Sequence, residues 1–345
     1  MGVVVGYGSV GRKHAAEMAQ RFPALQIVDT KESARRAAAA DHPGARVGVN
    51  LEALDAVDLP WGSAMAVIAT WGPSHAALFH ALVDRGVRRI LSEKPLAASV
   101  FDAFAMAERA EREGIRLEVH HYFRYGGLGE SLRRLLAEHG LGDAVSLVVS
   151  GGAACCVTNG IHWLDLATEL FGEPPRAVLG DLRARPINPR SPELGFYGGT
   201  AVWDFGGERS FTLSLSNDSS VAMEGRLYTR DAVADLDENL HVRLRRRDAS
   251  EGAGTAGAAR PVTRTGPAHR VLFEGVLPGT RSYREGIRRA VETVSSDADP
   301  ICPASVGAAA VSGCVGALVA SREERRIPLP IDPNSAWGRE TWPIS

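Results

Sequence analysis

The sequence predicts an α/β protein. It places a doubly wound parallel sheet at the N-terminus and an α+β domain with a large open, mostly antiparallel sheet behind it. Three observations carry this prediction. Short apolar runs alternate with Ala-rich helical segments over the first 120 residues. A Gly-x-Gly-x-x-Gly turn separates the first run from the first helix. Beyond residue 120, strand-like segments follow one another at hairpin spacing. At roughly 100–200 residues per domain, 345 residues make about two domains, divided as 1–120 and 121–345.

Hydrophobic residues make up 45% and charged residues 23% of the chain, which argues against disorder, collagen-like repeats and a disulfide scaffold. A net charge of -2 leaves no basic excess for a phosphate backbone, so no nucleic-acid partner is expected. No run is expected to match the roughly 18–20 uncharged apolar residues of a membrane span. Met1-Gly2-Val3-Val4-Val5-Gly6 has neither the basic start nor the cleavage pattern of a secretory signal. The expectation is a cytoplasmic protein with Cys155, Cys156, Cys302 and Cys314 as reduced thiols. The basic residues are almost all arginine. Only Lys13, Lys31 and Lys94 are lysines, a bias read as genome composition.

Strands are predicted at Val3–Val5, Leu25–Val28, Ala64–Ala69, Arg89–Leu91 and Ile115–Val119, uniformly apolar as befits strands covered on both faces. Helices are predicted at Val10–Arg21, Ser74–Arg85 and Ser99–Glu113, and later at Leu128–His139, Ile161–Phe171, Ser282–Val294 and Pro303–Arg322. The second half adds strands at Ala144–Val149, Ala177–Leu182, Thr200–Phe205, Ser210–Ser216, Val221–Tyr228 and Leu240–Leu244. Arg245–Arg270, rich in Gly, Ala, Ser, Thr and Pro, is expected to be a mobile loop.

In its strand–turn–helix setting, Gly6-Tyr7-Gly8-Ser9-Val10-Gly11 reads as the dinucleotide fingerprint of a Rossmann domain. Gly6 permits the tight turn, Gly8 lets the backbone approach a pyrophosphate, and Gly11 allows close helix–strand packing. The helix N-terminus then offers N–H groups and partial positive charge to the phosphates. Asp29 ends the second strand, eighteen positions beyond Gly11, where an acidic residue accepts the adenosine ribose hydroxyls and repels a 2′-phosphate. This favours NAD. Thr30 and Lys31 stand beside it, and Lys31, Arg35 and Arg36 keep NADP possible. Asp29 also suits a helix N-cap.

Three more segments narrow the reading: Val67-Ile68-Ala69-Thr70-Trp71-Gly72-Pro73-Ser74-His75, Ser92-Glu93-Lys94-Pro95, and Gly160-Ile161-His162-Trp163-Leu164-Asp165 followed by Leu170-Phe171-Gly172. With the glycine turn and Gly11-Arg12-Lys13-His14-Ala15, they resemble the Gfo/Idh/MocA family (glucose–fructose oxidoreductase, inositol dehydrogenase, rhizopine catabolism) over nearly the whole chain. The resemblance implies an N-terminal Rossmann domain, a C-terminal α/β domain with an open antiparallel sheet, and a nicotinamide held between them. It implies hydride transfer between NAD(P) and the carbinol or keto carbon of a sugar, sugar nucleotide or cyclitol. It also implies a homodimer or homotetramer formed through the C-terminal sheet. Two other readings stay open: transient oxidation that enables epimerisation or elimination with retained cofactor, and a catalytically silent dinucleotide-binding regulator.

Oxidising an alcohol needs a proton acceptor as well as a hydride acceptor. Lys94, at the carboxyl end of a parallel strand, stands where open α/β sheets bind ligands. A free lysine titrates near ~10.4; burial and an oxidised nicotinamide would lower that value. Glu93 suits holding this lysine or a ribose hydroxyl. By resemblance His162 shares the proton with Lys94; otherwise it caps a helix start. Asp165, one helical turn on, orients the imidazole, contacts a substrate hydroxyl or pairs with an arginine. Many family members carry an aspartate four residues before this histidine; here Thr158 stands there, and with Asn159 it is a candidate for substrate hydroxyls. In His120-His121-Tyr122-Phe123-Arg124-Tyr125, read as extended, His120 and His121 point to opposite faces, and Tyr122 and Arg124 share the substrate side or pack. Ala69, Thr70, Trp71 and Pro73 are assigned to the cofactor near the nicotinamide ribose, with Trp71 also shaping the substrate pocket. His75 is structural or touches a ribose. Arg185-Pro186-Ile187-Asn188-Pro189-Arg190 suits closing over a substrate or binding an anion. No metal-ligand spacing and no Gly-x-Ser-x-Gly elbow is present.

Overall fold

Apolar strands only four or five residues long can be buried on both faces if helices cover each side, and this is how the chain begins. The computed structural model describes residues 1–55, 58–152, 154–185, 193–247 and 269–344. The first half runs β1 (Gly2–Val5), α1 (Ser9–Arg21), β2 (Leu25–Val28), α2 (Glu32–Asp41), β3 (Arg46–Gly48), β4 (Met65–Ile68), α3 (Gly72–Asp84), β5 (Arg89–Glu93), α4 (Val100–Arg112) and β6 (Arg116–His120). The strands form a parallel sheet in the order β3-β2-β1-β4-β5-β6. The strand order reverses between β1 and β4, which opens a crevice at the carboxyl ends of those strands.

Two elements here lack a sequence prediction. Helix α2 buries only Ala38, so its apolar stripe is too narrow to register. Strand β3 has three residues and is half-buried at the sheet edge.

The extended reading of residues 120–125 is wrong. Pairing of β6 with β5 ends at Glu93 opposite His120. Tyr122–Gly126 then forms a short helix, α5, that ends on Gly127 in the left-handed region at φ 74°. The same glycine opens α6 (Leu128–Glu138).

The rest of the chain comprises β7 (Ala144–Gly151), α7 (Gly160–Phe171), β8 (Ala177–Arg185), β9 (Phe196–Gly206), β10 (Arg209–Leu215), β11 (Glu224–Thr229), β12 (Ala232–Leu236), β13 (His241–Arg247), β14 (His269–Val276), α8 (Tyr283–Ser295), α9 (Ala304–Glu323), β15 (Ile327–Pro328) and α10 (Ala336–Arg339). Nine strands make one sheet, β14-β13-β12-β11-β7-β10-β9-β8-β15, antiparallel except where β7 and β10 pair in parallel. Strands β12 and β14 were not predicted. Of the expected mobile loop, residues 248–268 lie outside the described residues, as do 186–190 of the Arg/Pro-rich stretch.

Contrary to the expectation that no segment suits a membrane, α9 is long and apolar enough to cross one by length and composition. Here it is a core helix. A Cβ on Gly307 would lie 2.4 Å from Val119, and one on Gly313 2.7 Å from Leu164, so small residues let α9 touch β6 on one side and α7 on the other. Trp203 of β9 donates its indole N–H to the Gly313 carbonyl at 2.9 Å.

A buried carboxylate ties this returning segment to the first sheet. Glu118 of β6 is fully buried. Its Oε2 accepts from the Tyr125 hydroxyl (2.6 Å) and the Ile301 and Cys302 amides (2.9 and 3.1 Å), and its Oε1 from Arg116 Nε (2.9 Å). Removing one partner of such a set strands the others. Glu118→Ala is expected to lower the unfolding free energy by about 3–5 kcal/mol. Urea denaturation at pH 7 checks this, and a loss below about 1 kcal/mol contradicts it.

Candidate active site

The turn after β1 is built by close approach. Gly6 has φ 93°, and a Cβ there would lie 2.7 Å from the Ala69 carbonyl oxygen; a Cβ on Gly11 would lie 1.9 Å from the Gly6 oxygen. Only glycine fits either position. Gly8 differs: a Cβ there meets nothing within 4 Å, so the loop opens onto space. Gly8 is also the N-cap of α1 and brings no side-chain acceptor to the first-turn amides. An open cradle beneath a helix N-terminus fits a pyrophosphate. Ser9 and Val10 form the first turn of that helix.

Asp29 pins this loop rather than capping α2. Its Oδ2 accepts from the Tyr7 amide and its Oδ1 from the Lys31 amide, both at 2.7 Å. Tyr7 gives the crevice only its backbone. Its hydroxyl donates to Asp41 (2.8 Å), and burial and that carboxylate push it up to about 12. Arg35 braces the Asp29 and Thr30 carbonyls, and Arg36 pairs with Glu32. Lys31 lies with its ammonium 5.5 Å from the Trp71 ring centre. Trp71 is 43% exposed, beside the lysine that stands two residues beyond Asp29. Pro73 stands at the start of α3, and Thr70 is hydrogen-bonded to Ser74 (2.7 Å). His75 is buried, with its ring nitrogens 2.8 Å from the Pro95 carbonyl and 3.1 Å from that of Thr70. It is a structural brace between two loops.

Glu93, the last residue of β5, is held by two buried histidines. Its Oε1 lies 2.8 Å from His14 Nε2 of α1 and 2.9 Å from His120 Nδ1 of β6. Burial alone would raise this carboxyl, but the two imidazoles bring it well below the usual range. Glu93 Oε2 also accepts from the Lys94 amide at 3.3 Å. The next residue, Lys94, is half-buried, and its Nζ donates to the Thr158 carbonyl at 3.2 Å.

His162 lies in the first turn of α7, beyond the N-cap residue Asn159. The Tyr122 amide donates to its Nδ1 at 3.3 Å. An amide can only donate, so Nδ1 is an acceptor and a neutral His162 carries its proton on Nε2. Burial, then the nearby Lys94 charge, lowers its proton affinity well below that of an ordinary histidine. Behind it, His121 packs edge-on at 5.7 Å, fully buried, with burial pushing it down to about 4.

Three substrate candidates have partners for their side chains within the protein. Asp165 is buried and accepts two bonds from Arg124 Nε (3.1 Å) and one from Nη2 (2.8 Å). Burial opposes the Arg124 charge, but Asp165 outweighs it and the guanidinium holds its proton more tightly. This pair braces α5 against α7. Asn159 accepts from the Cys155 amide at 3.1 Å, so its Oδ1 serves the loop. Tyr122 does reach the site, through its backbone and through its ring, which stands 6.5 Å from that of His162.

The sequence reading missed four residues here. His14 and His120 clamp Glu93, and His121 backs His162. Tyr283 of α8 packs on both Tyr122 (5.4 Å) and His120 (5.8 Å). His14 stood inside a quoted motif, whereas nothing local marks Tyr283. Among the described residues two buried groups of potential metal ligands gather, His14/Glu93/His120 and His121/Asp165/Cys302, neither legible from spacing.

Comparison with known proteins agrees with this geometry. Residues 2–121 match the model of an oxidoreductase family with an NAD-binding Rossmann fold. Over 151 residues the chain is 32% identical to D-apiose dehydrogenase of Paraburkholderia graminis. The match takes in 39% of this chain and spans only 38% of that enzyme's length. Two solved structures share the fold. An oxidoreductase, YvaA, from Bacillus subtilis has a TM-score of 0.73 at 17% identity, covering 95% of this chain and 99% of that one. The WlbA dehydrogenase from Bordetella pertussis, in complex with NADH and UDP-GlcNAcA, has a TM-score of 0.67 at 18% identity, covering 96% and 98%.

The buried histidines make stability depend on pH. His14, His75, His121 and His162 all bind protons less readily than in an unfolded chain, burial being the largest cause. Their contribution is full above the unfolded value near 6.5 and is lost as pH falls below it. For His121, lowered to about 4, the loss by pH 5 is about 2 kcal/mol. Urea titrations at pH 7.5 and 5.0 should show lower stability at pH 5.0, with a smaller difference in His121→Leu. Equal stabilities would contradict the burial.

Proposed function

We propose that the chain, whose residues 2–121 match the Gfo/Idh/MocA oxidoreductase family model, is an NAD-dependent dehydrogenase or reductase acting on a CH–OH carbon of a sugar-like substrate. One observation carries the reading. Lys94 donates to the carbonyl of Thr158, four residues before His162 in the stretch that enters α7, and Lys94 itself follows β5 of the parallel sheet whose β1 leads into the Gly8 turn. The sugar class draws support from the D-apiose dehydrogenase likeness and from the neighbour crystallised with a nucleotide sugar. NAD is favoured over NADP because Asp29 holds a carboxylate at the crevice edge while Arg35 and Arg36 are engaged elsewhere.

Bound NAD supplies the hydride acceptor. The Gly8 loop and the α1 amides hold its phosphates, and Asp29 takes its adenosine ribose. The two side chains then divide the proton work. His162, neutral with its proton on Nε2, is a donor that stabilises negative charge growing on the substrate oxygen. Lys94 accepts the alcohol proton, and the Thr158 carbonyl aims its nitrogen. Thr158 thus acts through its backbone.

Lys94→Ala should leave NAD affinity within about threefold while turnover, followed as NADH absorbance on a panel of aldoses and polyols, falls by about 10²–10⁴. Unchanged turnover would defeat the assignment.

The outer face of the nine-stranded sheet suits a second copy of the chain. Among the described residues no helix covers Val148, Val202, Leu179 and Tyr228, which remain 36–51% exposed. A homodimer or homotetramer through this face is expected from light scattering of the purified protein. Val148→Glu with Val202→Glu should shift the mass to that of one chain. A monomeric wild type would overturn the reading.

A further inference from the structure

The chain holds 39 lysines and arginines, yet only Lys13, Lys31 and Lys94 are lysines. All three lie in the parallel-sheet half of the chain. Lys94 follows β5, Lys31 follows β2 and covers Trp71, and Lys13 stands on the second turn of α1. Lys13 and Lys94 therefore stand out chemically in a chain whose other cations are nearly all guanidinium groups. An ammonium on a flexible stem differs from a planar guanidinium in hydration and in bond geometry, so these positions are not interchangeable.

Two of the three have a role above; Lys13 does not. It is exposed, and its ammonium lies 4.6 Å from the ring centre of Tyr283. Tyr283 packs on Tyr122, whose ring packs on His162, and independently on His120, which binds Glu93 next to Lys94. Two routes of contact therefore connect Lys13 to the reacting groups along one wall. The neighbouring charges are engaged elsewhere. Glu17, one helical turn away, is buried and pairs with Arg284 (3.0 Å), and Arg12 pairs with Asp41 (2.7 Å). No carboxylate among the described residues pairs with Lys13, so its charge has no protein counter-ion there.

We infer that Lys13, braced over Tyr283, recognises an anionic substituent of the substrate, a carboxylate or a phosphate remote from the carbon that exchanges hydride. The inference rests on the proposed oxidoreductase reading and narrows its substrate class from sugars to anionic sugars. Tyr283 and Tyr122 then form the aromatic wall along which the sugar lies, and the ammonium meets its charged end.

The test is calorimetric titration of the full chain saturated with NAD. The ligands are D-glucose, D-glucuronate and D-glucose 6-phosphate. Wild type should bind at least one of the anionic sugars tenfold or more tighter than glucose. The stronger of the two identifies the anion. Lys13→Met should abolish that preference while leaving the NAD dissociation constant within twofold, and Lys13→Arg should restore only part of it. Binding of glucose as tight as that of both anionic sugars, no binding of either anion, or a preference that survives Lys13→Met each overturns the inference. Because the titration reads binding and not hydride transfer, its outcome is separate from that of the Lys94→Ala turnover test.

Discussion

The site depends on one buried carboxylate shared by two histidines. Glu93 ends β5, His14 comes from the first helix and His120 from the end of β6. A desolvated carboxylate is tolerable only when its lone pairs are met, and here both imidazoles meet it. The consequence is geometric. Three elements from distant parts of the sequence are fixed to one oxygen, and the residue that follows Glu93 is Lys94. Its amide is bound to the other oxygen of the same carboxylate, so the backbone that launches the lysine side chain has little freedom.

That arrangement explains what the sequence could and could not reveal. Gly6 and Gly11 announced themselves because each sits where any Cβ would strike backbone, a constraint local to a dozen residues. Lys94 and His162 were legible through the motifs around them. Arg124 and Asp165 were not, since their pairing is a contact between residues 41 positions apart. The misreading of Tyr122–Gly126 has the same origin. Its aromatic residues Tyr122, Phe123 and Tyr125 suit a strand, but the sheet runs out of partners at His120 and Gly127 supplies the left-handed residue that closes a short helix. Helix α9 shows the opposite error. A run of Ala, Gly, Val and Ser long enough for a membrane becomes a core helix because its glycines accept Val119 and Leu164 at close range.

The two domains meet the site in different ways. The parallel sheet presents strand ends, where backbone geometry is rigid and amides point outward. The rest of the chain contributes α7 and the stretch before it, with Tyr122 of α5 and Tyr283 of α8 packed alongside. The Glu118 network makes this union firm, because the strand that carries His120 is bonded to the segment that enters α9. The crevice is thus bounded on both sides by groups that cannot shift independently.

Within that frame the presence of Thr158, where the family resemblance implies an aspartate, has a physical reading. A carboxylate at position 158 would raise the proton affinity of both Lys94 and His162, favouring a charged imidazole. Thr158 instead offers a carbonyl, which aims the lysine nitrogen without adding a negative charge. His162, with Lys94 beside it and an amide on Nδ1, stays neutral with its proton on Nε2. In such a pair the roles of donor and acceptor are set by the backbone: one amide fixes the histidine tautomer and one carbonyl fixes the lysine. The contacts that hold Lys94 and His162 are then independent of the side chain at position 158, because the atoms that make them belong to every residue type.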